Sequence, residues 1–167
     1  YDQDMLIKLK NKDTLKCDDF LFKCSIGRKG LATKKKEGDK KTPKGIFSLG
    51  PLYYRKDRNL KPRTKIKTIA ITKEMGWCDD NESSKYNSLI KINKKIKYEK
   101  MFRKDHSYDY VIPINYNTKK PIKNKGSAIF IHLTKNYKKT LGCIALDKRD
   151  FLILLRLIDK KTKIKIS

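Results

Sequence analysis

Acidic residues are scarce in this 167-residue chain: 18 Asp and Glu stand against 43 Lys and Arg, a formal net charge of +25. Histidine occurs twice and tryptophan once. No apolar run reaches the roughly eighteen residues of a membrane-spanning helix, so no transmembrane segment is read. The four cysteines, Cys17, Cys24, Cys78 and Cys143, form no Cys-x-x-Cys pair. With so few histidines beside them, a zinc site is not expected, and neither metal nor other cofactor is assigned. Arginine is also short, 7 against 36 lysines. Arginine is the better fork for phosphate and guanine, and the lysines are scattered rather than gathered into a stripe, so no specific nucleic-acid partner is read. A solvated lysine coat is the simpler reading, with an attractive field for anionic polymers or surfaces. The opening Tyr-Asp-Gln-Asp is not a signal-peptide pattern, and location is not read from the chain ends.

What is present points to one mostly β domain over residues 1–167, long enough to bury a core without disulfides. Residues 4–10 and 20–26 read as strands rich in branched and aromatic residues. Between them, Cys17 and Cys24 flank a turn at Asp18-Asp19. Hairpin register about that turn sets Cys17 opposite Phe20 rather than Cys24, which argues against a disulfide. A polar loop runs from Thr33 to Thr42 and closes at Pro43 and Gly45. Further strands are expected at Ile46–Leu49, Lys65–Thr72, Tyr110–Tyr116 and Ala128–Leu133, with Pro113 placing the third at an edge or bulge. Residues 78–88 read as irregular. One helix is expected over about 148–160, with Asp147 as N-cap, Asp150 as its capping partner, an apolar stripe from Phe151 to Ile158, and Lys160 and Lys161 suiting the negative end of its dipole. Ile164 and Ile166 close the chain as a short strand.

The segment Thr140-Leu141-Gly142-Cys143-Ile144-Ala145-Leu146 carries the chemistry. A cysteine directly after glycine, flanked by β-type residues, suits an exposed nucleophile with backbone N–H groups beside it. His132, eleven residues upstream at the end of Ala128-Ile129-Phe130-Ile131, is a base within plausible reach. Thiol acyl transfer needs such a partner, because a free cysteine near pKa 8.5 is mostly protonated at neutral pH. The plainer alternative makes Cys143 a small buried hydrophobe in a strand.

Four blocks extend the pattern. They are Cys24-Ser25-Ile26-Gly27-Arg28-Lys29-Gly30 with Lys36 through Phe47 (Lys-Glu-Gly-Asp-Lys-Lys-Thr-Pro-Lys-Gly-Ile-Phe); Gly76-Trp77-Cys78-Asp79-Asp80 with Tyr86-Asn87; Arg103-Lys104-Asp105, Tyr108-Asp109 and Tyr116-Asn117; and Gly126 through His132 closing on Thr140-x-Gly-Cys. On these, spanning about residues 24–146, the chain resembles the L,D-transpeptidase catalytic domain family (the YkuD-type fold), in its compact single-domain bacterial branch. The Gly-Asp-x-x-Thr-Pro-x-Gly and His…Thr-x-Gly-Cys blocks are jointly specific; either alone would be weak.

The resemblance implies a β-sandwich or barrel-like core with a helix beside it. It implies a cysteine acyltransferase on peptidoglycan stem peptides, at the periplasmic or extracytoplasmic cell wall. The family cleaves between an L-centre diamino acid and the following D-alanine and passes the acyl group to an amine or to water. Carried over, Cys143 is the nucleophile and His132 the general base. The N–H groups of Cys143, Leu141 and Gly142 form the oxyanion hole, and a carbapenem would form an adduct at Cys143. Three features depart from the commoner family pattern: Leu141 stands where many members have a second histidine, Ala145 where many have arginine, and the gap from His132 to Cys143 is short.

Among the other candidates, Thr140 either bonds the turn through its hydroxyl or sits in a strand. Arg103, Asp105 and Tyr108 anchor a charged stem peptide or form an internal ion pair supporting their loop. His106 reads as a solvated bystander, Trp77 as core and Cys78 as structural. Asp39 and Thr42 read as satisfying local backbone groups of a tight turn. Three other functions stay open: within the resemblance, an L,D-carboxypeptidase or a non-catalytic basic wall-binding module that keeps the fold, and outside it a nucleic-acid binder using the +25 charge.

Overall fold

The structure is a computed structural model that describes residues 5–167. Asp4, with which the first expected strand begins, lies outside the described residues. Strands β1 (Leu6–Lys10), β2 (Thr14–Cys17) and β3 (Phe20–Ser25) form an antiparallel meander. Short strands β4 (Leu31–Ala32) and β5 (Thr42–Pro43) pair across the polar loop. Then come β6 (Gly45–Ser48), β7 (Leu52–Tyr54), β8 (Thr68–Ala70), β9 (Met75–Cys78), β10 (Leu89–Lys91) and β11 (Tyr98–Lys100). The chain continues through β12 (Tyr110–Pro113), β13 (Phe130–Leu133), β14 (Ile144–Leu146), helix α1 (Lys148–Leu157) and β15 (Lys163–Ile166).

Ten strands make one curled sheet, in the order β6-β15-β1-β2-β3-β14-β13-β12-β7-β8. It forms a half-barrel, and the chain is mostly β, with a single helix among the described residues. A three-stranded sheet, β10-β9-β11, stands apart from it.

The hairpin register follows from the turn: Cys17 lies opposite Phe20, and Cys17 and Cys24 are both buried free thiols. Helix α1 starts as its sequence dictates, with the Asp147 carboxylate accepting from the Arg149 N–H at 3.1 Å. It ends at Leu157 rather than near 160. Ile158 turns extended, and the Asp159 N–H bonds the Thr162 hydroxyl at 2.9 Å, so a polar turn takes over from the helical ladder. Lys160 and Lys161 therefore follow the helix instead of ending it.

Pro113 is also placed differently from expectation. Its strand β12 lies inside the large sheet, between β13 and β7. Proline is tolerated there because it is the last strand residue, and its carbonyl accepts from the Gly50 N–H at 2.8 Å. Residues 78–88 are irregular only in part, since Cys78 closes strand β9.

Alternation along β13 and β14 sorts two cores. Ile131, Leu133, Ile144 and Leu146 point to one side, where they pack with Phe151, Leu154 and Leu155 of α1. Phe130 points to the other, joining Trp77, Met101 and Tyr108, and Cys143 packs against this second cluster. Each fully buried large side chain here contributes about 1.5–3 kcal/mol. Side chains on a strand alternate faces, so His132 shares the face of Phe130. That parity sets His132 and Cys143 toward one cavity.

Candidate active site

Strands β13 and β14 run parallel with His132 paired to Ala145. Stepping back two residues on each strand brings Phe130 level with Cys143, so Cys143 and His132 emerge on one face, diagonal to each other. Both line the same open cavity of about 560 Å³. Cys143 is half-buried, not sealed in the core. Its thiol donates to the Ala128 carbonyl oxygen at 3.2 Å, and its sulfur accepts from the Phe130 N–H at 3.4 Å. Among the hydrogen bonds of the described residues, none joins Cys143 to His132, so the resting thiol faces Ala128.

His132 is fixed by its own backbone: Nδ1 lies 2.9 Å from the Leu133 carbonyl oxygen. A carbonyl only accepts, so Nδ1 carries the proton and Nε2 keeps its lone pair. Burial holds the imidazole below its ordinary value, the Arg103 charge adding to this and the Leu133 bond opposing it. Burial also pushes the Cys143 thiol up to about 12, reinforced by Glu99 and opposed by the Phe130 N–H, Lys35 and Arg103. The resting pair is thus a neutral thiol beside a neutral imidazole.

Tyr108 stands behind the histidine. It is 4% exposed, and its ring meets His132 at 5.4 Å and Phe130 at 5.8 Å, both edge-on. Its hydroxyl donates to Glu99, and the Arg103 guanidinium lies over its other face at 4.9 Å. Arg103 is also paired with Asp105 at 2.7 Å, supporting its loop while reaching the cavity. Tyr108 thus offers the cavity a ring edge and keeps its hydroxyl for Glu99.

The cysteine turn is built from three hydroxyl and backbone contacts. Thr140 Oγ1 donates to the Cys143 carbonyl at 2.6 Å and accepts from the Gly142 N–H at 3.1 Å. The Gly142 donor expected for an oxyanion hole is therefore already engaged in the resting turn. Gly142 itself has φ +144, and a Cβ there would meet the Lys41 carbonyl oxygen at 3.0 Å. Glycine is required on both counts. Thr42, fully buried, accepts from the Gly27 N–H at 2.9 Å and donates to the Gly142 carbonyl at 2.8 Å. Its reach is thus long-range and not confined to its own turn. Asp39 does act locally, accepting from the Lys36 and Lys41 N–H groups at 2.8 and 2.9 Å.

Ala128, the thiol's acceptor, holds φ +54, a left-handed conformation unusual for a residue with a Cβ. Asn87 keeps it there: its Oδ1 accepts from the Ala128 N–H at 3.0 Å and from the Trp77 indole at 2.9 Å. Its Nδ2 donates to the Tyr116 and Asn117 carbonyls at 3.0 and 2.7 Å. Trp77 and Cys78 are core. His106 is exposed and outside the cavity lining, bonded to Asp109 at 2.9 Å.

Several cavity residues escaped the sequence reading. Glu37, Asp79 and Glu99 all line it, alongside the cations Lys35, Lys97, Arg103, Lys135, Lys138 and Lys139. Glu37 accepts from Tyr86 at 2.7 Å, while Asp79 Oδ1 is buried with no hydrogen-bond partner among the described residues. Burial raises the carboxyl groups of Asp79 and Glu99 above their usual range. Lys35 is 5% exposed, paired with Asp39 at 2.7 Å, and faces the same cavity. A rare apolar neighbourhood marks a core residue in sequence; nothing comparable marks a charged side chain that the fold turns inward.

A profile of the YkuD family, the L,D-transpeptidase catalytic domain, matches residues 6–166. The chain belongs to this family. Two crystal structures of the helical cell shape determining protein Pgp2 from Campylobacter jejuni, one of them a mutant, share its fold with a TM-score of 0.53. They are 19% and 18% identical to it, and the match covers all of this chain and 48% and 49% of theirs. The chain thus spans about half the length of those structures. No curated protein matches it. In this YkuD-family domain His132 lies on β13, Thr140, Gly142 and Cys143 lie in the turn leading into β14, and the Gly-Asp-x-x-Thr-Pro-x-Gly residues run from the polar loop through β5 to the start of β6.

Proposed function

We propose that the chain, as one catalytic domain over residues 1–167, is a cysteine acyltransferase acting on peptidoglycan stem peptides. The single observation that carries this is the shared face of Cys143 and His132 above one open cavity. The family supplies the substrate class, and the cell-shape role of Pgp2 accords with work at the extracytoplasmic cell wall.

On substrate binding the thiol leaves Ala128 and turns to His132 Nε2. Nε2 takes the proton as sulfur bonds to the peptide carbonyl carbon. With both partners neutral at rest, transfer accompanies attack and no standing thiolate precedes it. The carbonyl oxygen becomes an oxyanion held by the Leu141 and Cys143 N–H groups. Each such donor is worth on the order of 10²–10³ in rate. The C–N bond then breaks, the imidazolium gives its proton to the leaving D-alanine amine, and a thioester remains. An amine or a water, deprotonated by His132, displaces the sulfur, and the proton returns to Cys143. Crosslinking and L,D-carboxypeptidase trimming differ only in this last acceptor. Glu37, Asp79 and Glu99 offer carboxyl oxygens that can accept from the ammonium of a diamino-acid side chain.

The reading is tested with a synthetic stem tetrapeptide, following D-alanine release by chromatography. Release is expected from the parent chain and lost in Cys143→Ala and His132→Gln. Release that survives Cys143→Ala would remove Cys143 as the nucleophile, and absence of turnover in the parent chain with wall binding intact would favour the non-catalytic wall-binding module.

A further inference from the structure

A second groove, of about 620 Å³, shares no lining residue with the active-site cavity. It lies between residues 58–63 and helix α1, and continues along the helix past Leu152 and Arg156. The loop that forms one wall is pinned at its base. Arg55 bonds the Asp57 carboxylate through two contacts at 2.8 Å and stacks on the Phe102 ring at 3.5 Å. Arg58 grips Asp109 and the Asp105 carbonyl, and the Asn59 N–H bonds the Arg55 carbonyl at 3.0 Å. From this fixed base the loop holds Leu60 out at 91% exposure, the highest of the exposed large apolar side chains among the described residues. Pro62 restricts the chain just beyond it. Leu152 and Ile153 on the helix add half-buried apolar surface.

The surrounding charge is not the general lysine coat. Four of the seven arginines, Arg58, Arg63, Arg149 and Arg156, border the groove and its continuation. Lys61, Arg63, Arg149 and Arg156 are exposed, and none makes an ion pair among the described residues. Of the nearby carboxylates, Asp57 is paired with Arg55, Asp109 with Arg58, and Asp147 caps the helix N-terminus, while Asp150 lies beside Arg149 in the first helical turn.

We infer that this surface docks the chain on an anionic lipid bilayer, Leu60 entering the boundary between headgroups and acyl chains while the arginines meet lipid phosphates. Guanidinium forks match phosphate oxygens. A leucine held rigidly in water gains only where it can leave water, which a bilayer provides and a soluble polyanion does not. The inference is independent of the chemistry at Cys143.

Co-sedimentation of the full chain with vesicles tests it, comparing phosphatidylcholine vesicles with and without phosphatidylglycerol at physiological salt. Binding is expected only where phosphatidylglycerol is present. The double variant Arg63→Glu/Arg156→Glu removes two interfacial cations, each worth roughly fivefold in partitioning. Leu60→Asp also weakens binding, with melting temperature unchanged. The double variant Lys8→Glu/Lys10→Glu on β1, an identical charge change, leaves binding as in the parent. The inference is overturned by no binding to phosphatidylglycerol vesicles, or by equal loss in the β1 variant. It is also overturned if Leu60→Asp binds normally while inorganic polyphosphate displaces both proteins from the vesicles, which would mark a polyanion site.

Discussion

Thr42 donates its hydroxyl proton to the carbonyl oxygen of Gly142 at 2.8 Å, a bond across 100 residues of sequence. The Thr42 hydroxyl oxygen in turn accepts from the Gly27 N–H, so one side chain joins the end of the first meander, the polar loop and the cysteine turn. Thr42→Val keeps the shape but strands a buried N–H and a buried carbonyl. The expected cost is about 1–3 kcal/mol for each group left unpaired. Acylation of Cys143 should slow as its turn loosens, while Thr42→Ser restores both stability and rate. Thermal melts and acylation kinetics on the two variants check this.

Asn87 makes the corresponding bond set on the other side of the thiol. It satisfies the Ala128 and Trp77 N–H groups and two carbonyls while only 2% exposed. Asn87→Ala should destabilise the fold by about 3 kcal/mol or more, because several buried polar groups lose partners together. It should also release Ala128 from its left-handed conformation and so remove the thiol's resting acceptor. Denaturant unfolding measures the first effect, and the pH dependence of Cys143 alkylation the second.

With the thiol pushed up to about 12, little thiolate exists at neutral pH. Alkylation of Cys143 by iodoacetamide should therefore be slow at pH 7 and rise about tenfold per pH unit into the alkaline range. A plateau between pH 7 and 8, read on the Cys143 peptide by mass spectrometry, would mean a standing thiolate–imidazolium pair instead.

His132 titrates in the opposite sense. Burial lowers its pKa from the ordinary 6.5, so the neutral base persists to lower pH than usual. Turnover should fall on the acid side with a midpoint below 6.5. The unfolded chain binds the extra proton more readily, so the stability His132 contributes is present above the unfolded value and lost as pH falls through the folded one. His132→Gln should flatten that limb of the stability profile.

Local signals were legible in the sequence, and long-range polar ones were not. The Asp18-Asp19 turn sets the Cys17–Phe20 register, and Asp147 starts the helix, because both depend on neighbours a few residues away. The helix end was misplaced because Lys160 and Lys161 resemble a cationic terminus, while the Thr162 hydroxyl that stops the ladder carries no apolar signal. The strands around Trp77 were missed because Leu89–Lys91 and Tyr98–Lys100 are short and rich in lysine. Cys143 and His132 stood out through a glycine and a β run beside them. Glu99, Asp79 and Lys35 did not, since their place in the cavity comes from contacts far along the chain.

The proposed acyl transfer needs one reactive sulfur served by one imidazole, His132 on β13 and Cys143 just before β14. Intact-protein mass spectrometry after incubation with a carbapenem tests it most directly. One covalent adduct, localised to Cys143, absent in Cys143→Ala and formed much more slowly in His132→Gln, is the predicted result. No adduct on the folded parent chain, or an adduct that persists in Cys143→Ala, would contradict it.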